Sequence, residues 1–177
     1  MIGVLVSGEG TNLQALIDAG LPIAAVASNR SGVRALERAE QAGIPARVFD
    51  LEAYADRRAR DRELAEWLLL RGVDLVVLAG YMQLLTPSFL ERFPERIVNV
   101  HPSLLPAFPG ARAIEDALSA GVNTTGVTIH YVDEGLDTGA VIRQEPVAVE
   151  PRTTLAERIH AVEHRLLPEV VQELCAR

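Results

Sequence analysis

Lysine is missing from this sequence: all 17 of its basic residues are arginine. A Walker-type phosphate loop needs its lysine, and Schiff-base or pyridoxal chemistry needs a lysine amine, so both classes are excluded. Cysteine is nearly missing too. Cys175 stands alone near the C-terminus, which rules out an intramolecular disulfide and suits a reducing compartment. The 4 histidines are scattered, and no short cysteine or histidine spacing recurs, so no metal is expected. His160 and His164 lie four apart but read better as surface or packing residues. Positive charge is in deficit, with a net charge of -7. A nucleic-acid-binding surface is therefore not expected. No apolar run approaches the roughly 20 residues that span a bilayer. The opening run, Ile2-Gly3-Val4-Leu5-Val6, lacks the features of a secretion signal. The expectation is a cytoplasmic protein with no membrane partner.

What is present is ordinary for a globular domain: 49% apolar and 23% charged residues over 177 positions. That length suits one domain with one core. Strand-like runs fall at 2–6, 23–27, 46–49, 74–79 and 96–100, alternating with helix-period segments at 12–19, 32–42, 57–70 and 87–92. Leu64, Trp67, Leu68 and Arg71 form a core-facing stripe on the third of these helices. After residue 100 the rhythm changes to a proline-rich loop, a helix at 112–120, and strands at 125–132 and 140–149 joined by an acidic turn. A last helix runs over 153–174, with Thr153, Thr154 and Glu157 as its capping residues. The order predicts an α/β fold: an open, mostly parallel twisted sheet with helices on both faces, late antiparallel strands and a C-terminal helix.

Three segments carry possible chemistry. Ser7-Gly8-Glu9-Gly10-Thr11-Asn12 follows the first strand and opens a helix, where backbone N–H groups and the helix dipole suit a phosphate. It is equally a glycine turn with a helix cap. Leu13 replaces the last glycine of a dinucleotide fingerprint, and strand two ends at Ser28-Asn29 rather than an acid, which disfavours a nicotinamide cofactor. Ser7 lacks the flanking glycines of a hydrolase nucleophile. The second segment, Asn99-Val100-His101-Pro102-Ser103-Leu104-Leu105-Pro106, ends the last parallel strand. Period two puts Asn99 and His101 on one side, where an amide donor and an imidazole can hold a developing oxyanion. A strand-end histidine bonded to a backbone carbonyl is the plainer alternative. The third is the acidic turn with Asp133, Glu134 and Asp137; a carboxylate beside His101 favours its charged form, though a solvated hairpin explains the turn as well.

Taken in order, these segments resemble the phosphoribosylglycinamide formyltransferases, the folate-dependent glycinamide ribonucleotide transformylases. The matching runs are Val6 to Leu13, Val26 to Asn29, Leu78-Ala79-Gly80-Tyr81-Met82, Asn99 to Pro106, Gly126 to Val132, and Asp133 to Gly139. The resemblance implies a single formyltransferase domain over 1–177, with a ribonucleotide-phosphate half to about residue 100 and a folate and catalytic half beyond. It implies Asn99, His101 and Asp137 as the catalytic trio, with His130 beside them in an undefined role. It assigns Gly10, Thr11, Asn12 and Glu163 to the ribonucleotide, and Arg57, Met82, Gln83, Leu84, Leu85 and Asn99 to the folate. Gln83 and Ala107 stand where some members carry Arg and Lys. The implied cosubstrate is 10-formyltetrahydrofolate, the implied acceptor is glycinamide ribonucleotide, and the implied assembly is a monomer or homodimer. Leu105-Pro106 matches a cis peptide in similar loops. A sugar N-formyltransferase or a silent folate-binding protein are the alternatives that keep the same fold.

Overall fold

The computed structural model describes residues 1–176. Its seven strands are β1 (Ile2–Val6), β2 (Ile23–Ser28), β3 (Ala46–Val48), β4 (Leu75–Leu78), β5 (Ile97–His101), β6 (Thr124–Tyr131) and β7 (Val141–Ala148). The six α-helices are α1 (Thr11–Asp18), α2 (Arg34–Gln41), α3 (Arg57–Leu69), α4 (Pro87–Leu90), α5 (Ala113–Ala120) and α6 (Leu155–Cys175). The strand order is β3-β2-β1-β4-β5-β6-β7. The expected strands and helices are all found, with ends moved by a few residues at most. The chain falls into two compact units, Met1–Val98 and Asn99–Arg177.

In the first unit, β1 pairs in parallel with β2 on one side and β4 on the other, and β2 pairs in parallel with β3. Every residue of β1 and β4 is buried, as expected of central strands covered on both faces. The chain winds outward from β1 through β2 to β3 and then returns to β4 across β1. Right-handed crossovers therefore put α1 and α2 on one face and α3 on the other. The loops after β1 and β4 leave the carboxyl ends of neighbouring strands where the winding reverses, the place where open α/β sheets hold ligands.

In α3, Leu64, Trp67 and Leu68 are buried as their spacing suggests, but Arg71, in the turn just past the helix, is not. Its guanidinium lies 4.1 Å from the Trp67 ring centre and donates to the Trp67 carbonyl from solvent. A long cationic side chain covers an aromatic edge without entering the core. The helix instead buries Arg60 and Asp61 completely.

In the second unit, β6 and β7 form an antiparallel ladder whose register shifts between Ile129 and His130. α6 packs along both strands, and Ile159, Leu166, Leu167 and Val170 are among its buried residues. The expected side-chain cap at its start is not formed. Residues Arg152–Thr154 make a 3-10 turn, and Thr154 Oγ1 donates to the Pro151 carbonyl and accepts from Arg158 Nε. The hydroxyl is thus engaged by the preceding turn and by its own helix rather than by an N-terminal amide. Leu105-Pro106 is cis, and so is Glu150-Pro151, which no sequence signal had marked.

Candidate active site

Strand β5 delivers Asn99 and His101 to the same side, as period two requires. His101 is 4% exposed. Its Nε2 lies 2.8 Å from the Phe108 carbonyl, which only accepts, so Nε2 carries a proton. Its Nδ1 lies 3.4 Å from Asp137 Oδ2. Both ring nitrogens thus face oxygen atoms. One nitrogen binds a backbone carbonyl, as the plainer reading had it, and the other faces a carboxylate. Asn99 Nδ2 lies 3.2 Å from His130 Nε2, and His130 Nδ1 lies 2.8 Å from the Tyr131 carbonyl.

Asp137 is held in place by local chemistry. Asp133 Oδ1 accepts from the Gly135 amide at 3.0 Å and the Thr138 hydroxyl at 2.7 Å, closing the turn on itself. A Cβ on Gly139 would lie 1.8 Å from the Tyr131 carbonyl oxygen, so only glycine lets the turn close there. Asp137 adopts a left-handed φ of 55°, and its Oδ2 accepts from the Gly110 amide at 2.8 Å. Of the three acids in the turn, Asp133 is spent on the turn, Glu134 points to solvent and Asp137 alone meets the histidines.

The proline-rich loop after β5 is tied down by Thr128 of β6. Its buried hydroxyl donates to the Ser103 carbonyl at 2.7 Å and accepts from the Leu105 amide at 3.1 Å and from Gln144 Nε2 at 2.8 Å. Ser103 Oγ in turn donates to the Ala107 carbonyl. Nothing in the sequence pattern distinguishes Thr128 from any other inward strand residue.

In the first unit, Gly10 is the N-cap of α1 with φ 71°. A Cβ there would lie 2.6 Å from Ala35 Cβ, so this glycine both turns the chain and lets the loop pack against α2. Arg38 of α2 donates to the Glu9 carbonyl and to Gln14. Ser7, buried at the end of β1, donates to Asn29 Oδ1 at 2.5 Å and accepts from the Met82 amide at 2.9 Å. It fixes the start of the loop after β4. The other end of that loop is fixed by Asp61, whose Oδ2 accepts from the Thr86 amide and hydroxyl at 2.7 and 2.8 Å while Oδ1 lies 2.6 Å from Arg60 Nη2. Between these anchors Met82 and Leu84 are held with 59% and 52% of their surface exposed. The Tyr81 hydroxyl is pushed up to about 12, chiefly by burial, with nearby Asp61 adding and Arg60 and Arg57 opposing.

The formyl transferase family matches residues 1–171 of this sequence. The chain belongs to that family. Over 97% of its length it is 38% identical to a phosphoribosylglycinamide formyltransferase of Bacillus subtilis, 92% of which is covered. It is 43% identical to a phosphoribosylglycinamide formyltransferase of Bacillus halodurans of known crystal structure, with a TM-score of 0.95 over 99% of this chain and 95% of that one. A trifunctional purine biosynthetic protein of Chironomus tentans shares 44% identity, but the chain spans only 13% of that protein's length.

For a formyl transferase, the second unit brings together the expected Asn99, His101 and Asp137, with His130 against them. The first unit places Gly10, Thr11 and Asn12 at one helix start, and Met82, Gln83, Leu84 and Leu85 in the loop after β4. Arg57 opens α3 on the exposed side, near enough to Tyr81 to lower its pKa. Glu163, on α6, is 4% exposed, with Oε2 3.0 Å from His160 Nδ1. That carboxylate raises the His160 pKa, against the effect of partial burial. The sequence reading missed Ser7 as an anchor, the Arg60 and Asp61 pair, and Thr128. Two adjacent opposite charges inside a helix otherwise read as a solvated face. Among the described residues, no group of three or more acids, histidines or cysteines could hold a metal, and no helix is long and apolar enough to cross a membrane.

Proposed function

We propose that this formyl transferase moves the formyl group of 10-formyltetrahydrofolate to the amine of 5'-phosphoribosylglycinamide, giving the formylated ribonucleotide of purine synthesis. The observation that carries the reading is His101 held between the Phe108 carbonyl and Asp137, beside Asn99, in a chain that matches formyl transferases over nearly its whole length. The folate supplies an activated one-carbon unit. Attack by the amine moves negative charge onto the formyl oxygen. Asn99 donates a hydrogen bond to that oxygen, and the His101 imidazole beside it stabilises the developing charge, the contribution worth most in acyl transfer. Asp137 faces His101 Nδ1 and orients the ring. The amine gives up one proton and the folate nitrogen gains one, so the reaction needs a relay rather than a net base. Asp137 fills that place, because Oδ1 is left over when Oδ2 accepts from Gly110.

Gly10, Thr11 and Asn12 take the phosphate with their amides at the start of α1. Glu163 contacts the same substrate. Arg57, with Met82, Gln83, Leu84 and Leu85, holds the folate: the exposed Met82 and Leu84 suit a flat ring, and the loop's backbone suits its polar edge. Purified protein should consume the formyl folate only when the ribonucleotide is present, followed by absorbance. Consumption without the ribonucleotide would make it a hydrolase and overturn the proposal. His101→Ala should lower turnover roughly 10²- to 10³-fold.

A further inference from the structure

His130 is a buried histidine on β6 that the proposed reaction does not use. Its ring is fixed at both nitrogens. Nδ1 lies 2.8 Å from the Tyr131 carbonyl, which can only accept, so the proton sits on Nδ1. In the neutral ring Nε2 is then a bare acceptor. The atom it faces, 3.2 Å away, is Asn99 Nδ2. That pairing decides which way the Asn99 amide points: nitrogen toward His130, oxygen away, one N–H engaged and the other left to donate. The register shift between β6 and β7 falls between Ile129 and His130, and such irregularities redirect a side chain beside a site.

We propose that His130 is a positioning residue: as a neutral acceptor, it fixes the Asn99 amide so that its second N–H is presented to the formyl oxygen. Burial holds the His130 pKa below the ordinary imidazole value, and His101 adds to the lowering. The Tyr131 carbonyl, Asp137 with Oδ1 at 3.7 Å, and Asp133 pull the other way. Protonation would put an N–H where Asn99 needs an acceptor. The amide would then turn over, and its oxygen would replace the nitrogen. The histidine on β6 thus controls the donor on β5 through its contact with Asn99.

The consequence for catalysis rests on the reading of Asn99 as the oxyanion donor, so the test has two arms. The first needs no activity. Imidazole nitrogen resonances of the whole protein should show His130 as the neutral Nδ1–H tautomer at pH 7, with the Nε2 signal shifting in Asn99→Ala. An Nε2–H tautomer, a charged ring or an unmoved signal overturns the pairing. The second arm is kinetic. His130→Leu should lower kcat roughly 10- to 100-fold, the cost of a misplaced catalytic group, with the KM for the ribonucleotide unchanged. His130→Gln, which returns an acceptor near the Nε2 position, should recover most of the loss and flatten the acid limb of the kcat profile. In an Asn99→Ala background, His130→Leu should add nothing. An equal loss in both backgrounds assigns His130 a role independent of Asn99 and refutes the proposal. If His130→Leu does not fold, His130→Gln and the resonances decide. Absence of formyl transfer by the unaltered protein would fail the functional reading alone, and the first arm would still settle the pairing.

Discussion

Thr128→Val is close to a change of one atom, and the structure says what that atom does. The hydroxyl is fully buried and makes three hydrogen bonds, to the Ser103 carbonyl, the Leu105 amide and Gln144 Nε2. Valine fills nearly the same volume, so no cavity contributes. Gln144 Nε2 keeps its bond to the Leu105 carbonyl at 2.9 Å and loses little. The Ser103 carbonyl and the Leu105 amide lose the partner that Thr128 gave them. Each buried polar group left unsatisfied costs about 1–3 kcal/mol, so the variant should lose about 2–6 kcal/mol. For a chain of this size each kcal/mol is worth roughly 2–4 °C in Tm, so the melt should drop by roughly 4–24 °C. The loop that loosens follows directly on His101, so kcat should fall by an order of magnitude or more, consistent with the steep cost of misplacement. Thr128→Ser keeps the hydroxyl and should cost only about 0.5–1.5 kcal/mol for its missing methyl. Thermal melts and turnover of the three proteins make the comparison. A valine variant that melts within 2 °C of the parent, about a tenth of the expected upper range, with kcat unchanged, would refute the claim that this hydroxyl holds the loop.

Asp61→Asn leaves the Arg60 guanidinium buried without its carboxylate and should cost about 3–5 kcal/mol, whereas replacing both residues with Met and Leu should cost less than the single change; denaturant titration of the single and double variants checks the order. The two glycines of the first loop should part company. Gly10→Ala forces a left-handed alanine, about 1–2 kcal/mol, into contact with Ala35 and should raise the KM for the ribonucleotide, while Gly8→Ala meets nothing within 4 Å and should be silent in melts and kinetics. The buried His130 gives stability a pH dependence of known sign. Its folded pKa lies below the ordinary value, so its contribution is complete above about 6.5 and is lost as pH falls through the folded value. Melts at pH 7.5 and 5.5, a range of about one unit either side of that value, should show a smaller acid loss in His130→Gln than in the parent; equal losses would refute the assignment.

How much of this was readable in advance depends on whether a residue's role is local or comes from packing. Gly10, Asp133 and Gly139 act within a few residues of chain, through left-handed φ, a turn closed on a carboxylate and a contact with Tyr131, and turn chemistry of that kind is legible in sequence. Asn99 and His101 were legible because period two is a property of the strand itself. Which acid of the turn would meet His101 was not legible from residue types alone; only the family resemblance pointed to Asp137. Asp133, Glu134 and Asp137 are chemically alike, and the choice falls to Asp137 because Asp133 is used by Gly135 and Thr138 and because the Gly110 amide binds the Asp137 carboxylate across 27 residues. The pairs that support the site are longer range still: Ser7 with Met82, Asp61 with Thr86, Thr128 with Ser103 and Leu105. Each joins a strand or helix to a loop distant in sequence, and each uses a residue type that is common on surfaces. Burial alone turns them into anchors, since a hydroxyl or carboxylate in water holds nothing in place and the same group buried must find and keep its partners. Patterning therefore reveals where the chemistry stands, and packing determines which neighbours keep it there. His130 falls between the two: the family resemblance implied its place beside the trio, but its contact with Asn99 lies next to a one-residue register shift between β6 and β7 that no alternation of residue types encodes.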